Sequence, residues 1–362
     1  MFQSVLHIIY LLHIPACWCM FSDISFHEVN ERLAKLNPVY STVKSALELY
    51  SIDQVHSGAD SCSPIIARIS HMSTLEEDLS RPQAFISGEI HGDERIGPSA
   101  SLVTAEILVM ASECVIEQKE STCSTLETTY DINDKRTLRW LAVLATRRDT
   151  YVIPTTNCMG HMHRQRAELG VDTNRDFPYG RSDNRCLRTT TAQVINSVMK
   201  NNLIQLVITF HGGMAAIGYE WGSLNHRKPK DDCPDSVVHS EVAQFMKTVA
   251  GGWSSAAKDS QPYPAGKMNS IVYPVDGGME DWVYASGWDT SGSQNHVCDK
   301  FSYFHPHIKP LHSNEVVEFM DPKKPFTQSV GNRAVVFLVE TSDMKNPSPA
   351  TWGKESNVCE CC

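Results

Sequence analysis

The sequence predicts an α/β fold, a single domain in which one sheet carries helices on both faces. Short apolar runs alternate with amphipathic runs along the 362 residues, the pattern of strands separated by covering helices. The apolar runs are continuous rather than alternating, as in strands buried on both sides. Polar residues able to do chemistry follow four of these runs directly, where sites gather in open α/β sheets.

Taken in order, Pro64 to Ser70 reads as a strand through Ile65, Ile66 and Ile69. Gln83 to Ser87 reads as a second strand, closed by Gly88. Pro98 to Ser112 has the spacing of one helix face, with Leu102, Ala105 and Ile107 in register. Ser112 to Asp134 is polar and is expected to be a loop, and Lys135 to Thr146 is a second helix. Asp149 to Thr155 is a strand, Thr191 to Lys200 a helix, and Leu203 to Phe210 a buried strand. Arg333 to Val339 is the last apolar strand. The stretch 285–331 is long, irregular and rich in Gly, Ser, His and Pro, which marks an insertion.

Residues 1–22 read as a signal peptide, with an apolar stretch too short for a membrane span. The absence of Lys and Arg before that stretch keeps a buried N-terminal helix or strand open as the alternative. No other segment reads as a transmembrane span. The domain is then 23–362, ending in a short cysteine-rich tail. Ten of the twelve cysteines lie beyond residue 22. An even number in a secreted chain points to disulfides, and Cys114 and Cys123 are close enough to staple one helix to the segment after it. A secretory or extracellular location is expected. The net charge of −10 argues against a nucleic-acid partner.

The chemistry begins at His91-Gly92-Asp93-Glu94. A histidine and a carboxylate three residues apart meet on one side of a turn or helix start, and both ligate zinc. His211, before Gly212-Gly213, offers a third ligand, the usual protein count for a catalytic zinc. Each motif alone also fits an ordinary surface turn or strand end. Glu340 ends a strongly apolar strand, where partial desolvation raises a carboxyl toward general-base range. Asn174 and Arg175 lie in Gly170-Val171-Asp172-Thr173-Asn174-Arg175-Asp176-Phe177-Pro178, and a guanidinium there can grip a carboxylate through two parallel bonds.

Together with Tyr219 after His211, with Gly277-Gly278-Met279-Glu280-Asp281-Trp282 and with Val339-Glu340-Thr341-Ser342, these motifs resemble the zinc metallocarboxypeptidase family, nearest its carboxypeptidase N/E branch. The resemblance runs from about Tyr40 to Asp343, with gaps. It implies a mixed twisted sheet and one zinc ion held by His91, Glu94 and His211. It implies Glu340 as general base, Asn174 and Arg175 on the substrate's terminal carboxylate, and Tyr273 as a mobile cap over it. Arg166 is the expected oxyanion arginine, with Arg164 as its competitor. The expected substrates are the C-termini of peptides or proteins.

The chain departs from the family's pattern at two places near the specificity pocket. Gly222 stands eleven residues after His211, where the N/E branch has an acid. Glu280 stands just before Asp281, where an acid in pancreatic-type relatives selects basic residues. A preference for C-terminal Lys or Arg is the resulting expectation. The segment between Asp281 and Glu340 is also longer than in the family, and covering the cleft or replacing the family's closing helix are two roles open to it. Two other functions remain open, a zinc deacylase or amidase on the same scaffold and a secreted, non-catalytic binding homologue.

Overall fold

The computed structural model describes residues 23–40, 46–53, 62–71, 74, 80–183, 185–227, 231–250, 253–255, 258–289, 298, 307–310 and 334–347. Residues 1–22, expected to be a signal peptide, the cysteine-rich tail and most of 285–331 therefore lie outside the described residues.

A nine-stranded mixed sheet organises the chain. Its strands are β1 (Ala46–Asp53), β2 (Ile65–Ser70), β3 (Gln83–Ser87), β4 (Asp149–Ile153), β5 (Ile204–His211), β6 (Met214–Tyr219), β9 (Ala265–Lys267), β10 (His307–Pro310) and β11 (Val335–Ser342), with β7 (Trp253–Ser255) and β8 (Lys258–Gln261) forming a separate ribbon. The order is β10-β1-β2-β4-β3-β5-β11-β6-β9. The centre, β4-β3-β5-β11, is parallel, and antiparallel pairs flank it on both sides.

Alternate residues of the central strands enter two different cores. Ala84, Ile86, Val152, Leu206, Ile208, Val335 and Phe337 face one side. Phe85, Tyr151, Ile153, Val207 and Val336 face the other. Both faces are thus apolar, which is why these strands read as unbroken hydrophobic runs. The first face is covered by α1 (Phe26–Tyr40), α2 (Ile96–Ile116), α3 (Glu120–Tyr130), α4 (Lys135–Arg147) and α7 (Ser236–Val249). The second is covered by α6 (Thr190–Asn201) and α9 (Met279–Ala285). The short α5 (Cys158–His163) and α8 (Met268–Ile271) sit at loop positions near the strand ends.

Two expectations are corrected here. The segment after Ser112 is not one loop, because Glu120–Tyr130 forms α3. Its outer face is polar, which hid it. Leu126 and Tyr130 are buried, Cys123 is bonded to Cys114, and Asp131 in a left-handed conformation ends the helix. The Tyr130 hydroxyl donates to Glu106 at 3.0 Å, beside the paired Arg32. Secondly, α2 is long and apolar enough to cross a membrane, although no such segment was expected beyond the N-terminus. Most of it is buried in the fold, so its composition is that of a central core helix.

The described parts of 285–331 are built into the fold at two points. Strand β10 pairs antiparallel with β1 at the sheet edge, and Cys298 is bonded to Cys186. A third disulfide joins Cys62 to Cys158, fixing α5 to the segment before β2.

Candidate metal centre and active site

The fold carries the candidate residues to one end of the parallel strands. His91 lies in the turn between β3 and α2, which starts at Gly88, whose N–H donates to Ile153 at 2.9 Å. Gly88 admits no larger residue, since a Cβ there would fall 2.0 Å from the Pro154 carbonyl oxygen. Asn157, which follows β4, buttresses this turn. It donates to the Ile90 carbonyl at 2.9 Å and to the Arg166 carbonyl at 3.2 Å, and caps α5 through Gly160. His211 ends β5. Glu340 lies beside it on β11, in register across the parallel pair.

His91, Glu94 and His211 converge. The Nδ1 atoms of both histidines lie 3.1 Å from Glu94 oxygens, and all three residues are buried. His91 Nε2 faces Asp172 Oδ1 at 3.1 Å. Donation of Nε2–H to Asp172 leaves Nδ1 with its lone pair aimed at a carboxylate. His211 has the same layout, with Nε2 3.4 Å from Glu280 Oε1. Two imidazole lone pairs and a carboxylate aimed at one point call for a cation between them. The ligand atoms lie within 4.8 Å of one another, and the N, N, O set suits zinc with an open position. A carboxylate behind each histidine is the usual outer support of such a centre.

The electrostatics agree. Burial alone would raise the Glu94 carboxyl, but the charges and hydrogen bonds of His91 and His211 hold it well below the usual carboxylate range. Burial opposes charge on His211, yet Glu280 and Glu94 raise it well above the ordinary histidine value. Both results describe a pocket that favours positive charge at its centre. Glu340 behaves oppositely. Burial pushes its carboxyl up to about 7, helped by the Glu94 and Glu280 charges and opposed by His211 and Arg166. Its Oε2 has no hydrogen-bond partner among the described residues.

The two competing arginines separate cleanly. Arg166 Nη1 lies 3.2 Å from Glu94 Oε1 and its Nε 3.0 Å from Asp172 Oδ2, so it borders the centre. Arg164 sits in a left-handed turn at the end of α5 and pairs with Asp23 instead. Arg175 reaches its guanidinium to 5.9 Å from the Tyr273 ring centre, and Tyr273 is partly exposed. Asn174 is largely committed to the protein, accepting from Met279 N at 2.8 Å and donating to Glu280 at 3.2 Å. Asn174, Gly222, Met268, Tyr273, Glu280 and Leu338 border a small pocket. Asp281 also lines it, with its carboxyl oxygens accepting from the N–H groups of Gly222 and Ser223 at 2.9 and 2.6 Å.

Two neighbours of the centre carried no role in the sequence reading. Asp172 lay inside a quoted motif, and its contact with His91 depends on closure of the fold. Lys345 Nζ lies 2.8 Å from Asp93 and 3.4 Å from Glu94. No local pattern marks it, because the turn after β11 brings it there.

A family profile described as zinc carboxypeptidase matches residues 44–314. That span includes every candidate site residue named above except Glu340, whose placement rests on its strand pairing. Carboxypeptidase SOL1 of Arabidopsis thaliana is 29% identical over 143 residues, which is 38% of this chain and 28% of that protein. Carboxypeptidase D of Drosophila melanogaster is 23% identical over 236 residues, covering 59% and 15%. The matches thus span under a third of either relative's length. Among solved structures, thrombin activatable fibrinolysis inhibitor superposes with a TM-score of 0.50 at 16% identity, covering 73% of this chain and 62% of that one. That likeness is one of fold. With three-quarters of its length matched by the family profile, this chain belongs to the zinc carboxypeptidase family.

Proposed function

We propose that the chain is a catalytically competent zinc carboxypeptidase that removes the last residue of peptides or proteins. The observation that carries this is the placement of Glu340, a buried carboxyl with an unpartnered oxygen, beside His211 and at the edge of the converging trio. A non-catalytic relative has no need to keep such a costly group.

His91, Glu94 and His211 would hold the ion. When bound there, zinc would supply Lewis-acid polarisation of the scissile carbonyl and acidify a nearby water. Glu340 takes the proton of the attacking water on its free oxygen, a role its elevated pKa suits near neutral pH. It then returns that proton to the leaving amine. Arg166 places a fixed positive charge where the carbonyl oxygen gains negative charge. Arg175 grips the terminal carboxylate, with Tyr273 over it, so that only the final peptide bond reaches the reacting groups.

For substrate preference, we favour C-terminal Lys or Arg. Met268 and Leu338 line the pocket and suit the methylene stem of a long cationic side chain, and Glu280, whose carboxyl, despite burial, His211 holds below the usual range, lines it too. We also place the protein in the secretory pathway, with residues 23–362 as one domain after a cleaved leader. Three disulfides support an oxidising compartment. The deciding assay is release of free amino acid from Arg-ended and Leu-ended peptides, with and without a chelator. Chelator-sensitive release is the expected result. Release from neither peptide, with the metal bound and the fold intact, would overturn the proposal.

A further inference from the structure

A second group of ligand-type side chains lies apart from this centre. Glu220 ends the segment after β6, Cys233 precedes α7, and His239 lies in the first turn of α7. All three are buried, with exposures of 0%, 2% and 0%. Glu220 Oε1 accepts from Val336 N at 3.1 Å. Val336 is four residues before Glu340 on β11, about 13 Å at roughly 3.3 Å per residue. The group therefore sits well down the sheet from the proposed active site.

The directions of these contacts are informative. Cys233 Sγ lies 3.5 Å from His239 Nδ1, and Glu220 Oε2 lies 2.9 Å from that same nitrogen. A thiol–imidazole–carboxylate relay would use both ring nitrogens, one for each partner. Here sulfur, nitrogen and oxygen crowd one point, all within 4.8 Å of one another. Zinc bonds of about 2.3 Å to sulfur and about 2.05 Å to nitrogen, set tetrahedrally, put S and N about 3.5 to 3.6 Å apart. The observed 3.5 Å meets that without movement. The carboxylate would need to open by about 0.4 Å.

Charge makes the same point. Among the described residues Glu220 Oε2 makes no well-aligned hydrogen bond, and His239 Nδ1 at 2.9 Å is the polar atom that faces it. Around the ring stand Tyr219, Tyr284 and Phe337, with centroids 5.4 to 6.2 Å away. An ionised carboxylate in such surroundings is costly unless its charge is matched. A divalent ion with one thiolate, one carboxylate and one neutral imidazole is neutral overall. The backbone already fixes two of the ligands. Ser236 N donates to the Cys233 carbonyl at 2.9 Å and His239 N to the Asp235 carbonyl at 3.0 Å, so both side chains are set by the start of one helix.

We propose that Glu220, Cys233 and His239 form a second, structural site for a divalent zinc-like ion, which pins the start of α7 to the end of β6 beneath β11. Binding releases to solvent the thiol proton of Cys233 and any proton held between Glu220 Oε2 and His239 Nδ1, and leaves the oxidation state of the sulfur unchanged. The inference does not rest on the catalytic reading, because the two sites share no residue.

The test uses the full chain loaded with Co2+ in place of zinc. The His91–Glu94–His211 group contains no sulfur, so a thiolate-to-cobalt charge-transfer band in the near ultraviolet reports only a cysteine-bearing site. The expected result is two cobalt equivalents per chain and that band. Cys233→Ser abolishes the band and one equivalent, whereas His211→Ala removes the other equivalent and leaves the band. If Cys233→Ser does not fold, Glu220→Gln serves instead, with at least a tenfold weaker cobalt affinity read on the same band. Cobalt loading without the band overturns the proposal. So does a band that survives Cys233→Ser, or one whose cobalt affinity is unchanged in Glu220→Gln.

Discussion

Replacing Asp172 with Asn isolates the support behind His91. The Asp172 carboxylate takes His91 Nε2 at 3.1 Å and Asn174 N at 3.1 Å on one oxygen, and Arg166 Nε at 3.0 Å on the other. Burial works against its charge, but His91, Arg166 and Arg175 together hold the carboxyl below the usual range. The asparagine side chain has the same shape but only one accepting oxygen and no charge. If that oxygen keeps His91, the new amide meets Arg166 donor to donor. If it keeps Arg166, His91 loses its acceptor. Either way one charge-assisted bond disappears. Loss of an outer partner of a metal-bound histidine weakens metal binding by about 10- to 100-fold, or about 1.4 to 2.7 kcal/mol. Zinc affinity, measured by competition with a chromophoric chelator, should fall by that factor. The change should affect the ion bound by His91, not the one that gives a cysteine-dependent cobalt band. A zinc affinity within twofold of wild type would refute the argument that Asp172 orients His91.

Further expectations concern the base, the pocket and the fold. Glu340→Gln should cut kcat by about 10² to 10⁴ with unchanged zinc content, checked by peptide hydrolysis and metal analysis; a smaller loss means another group moves the proton. Because burial raises the Glu340 carboxyl to about 7, activity should rise as pH rises through that limb, and a bound cation should move the limb lower. A kcat/KM profile against pH shows it, and a flat acid side in the wild type counts against Glu340. Glu280→Gln should lower the Arg-to-Leu preference ratio by at least about tenfold if its charge reads the substrate. Its contact with His211 would instead slow both peptides equally, so the ratio separates the two roles. Leu126→Ala should cost about 2 to 5 kcal/mol in denaturant unfolding, since Leu126 is fully buried; a cost below about 0.5 kcal/mol would mean α3 is not docked.

The strands that hold the site were legible because burial on both faces writes itself as unbroken apolar runs, as in Ile204–His211 and Val335–Ser342. The His91–Glu94 spacing was legible for a similar reason, since a three-residue interval survives any fold that makes a tight turn. Helix α3 was not, because Leu126 and Tyr130 are its main apolar anchors and a disulfide supplies the rest. The choice between Arg166 and Arg164 was left open by sequence. The fold brings Arg166 to Glu94, whereas a left-handed residue at Arg164 turns that side chain out toward Asp23. The Glu220–Cys233–His239 group was hidden for a deeper reason. Its members are separated by thirteen and six residues, and only the approach of α7 to the sheet joins them.

The pairing of β11 between β5 and β6 has a consequence for how the molecule comes into being. His91, Glu94 and His211 all leave the ribosome well over a hundred residues before Glu340. A growing chain can thus assemble its candidate metal ligands while the slot between β5 and β6 still awaits its strand. Side chains alternate strictly along a strand, so a slip of one residue as β11 enters would turn Glu340 to the opposite face. Under the proposed roles, hydrolysis begins only when the last strand is seated in register, and the nascent peptidase is harmless to its neighbours until its own folding is complete.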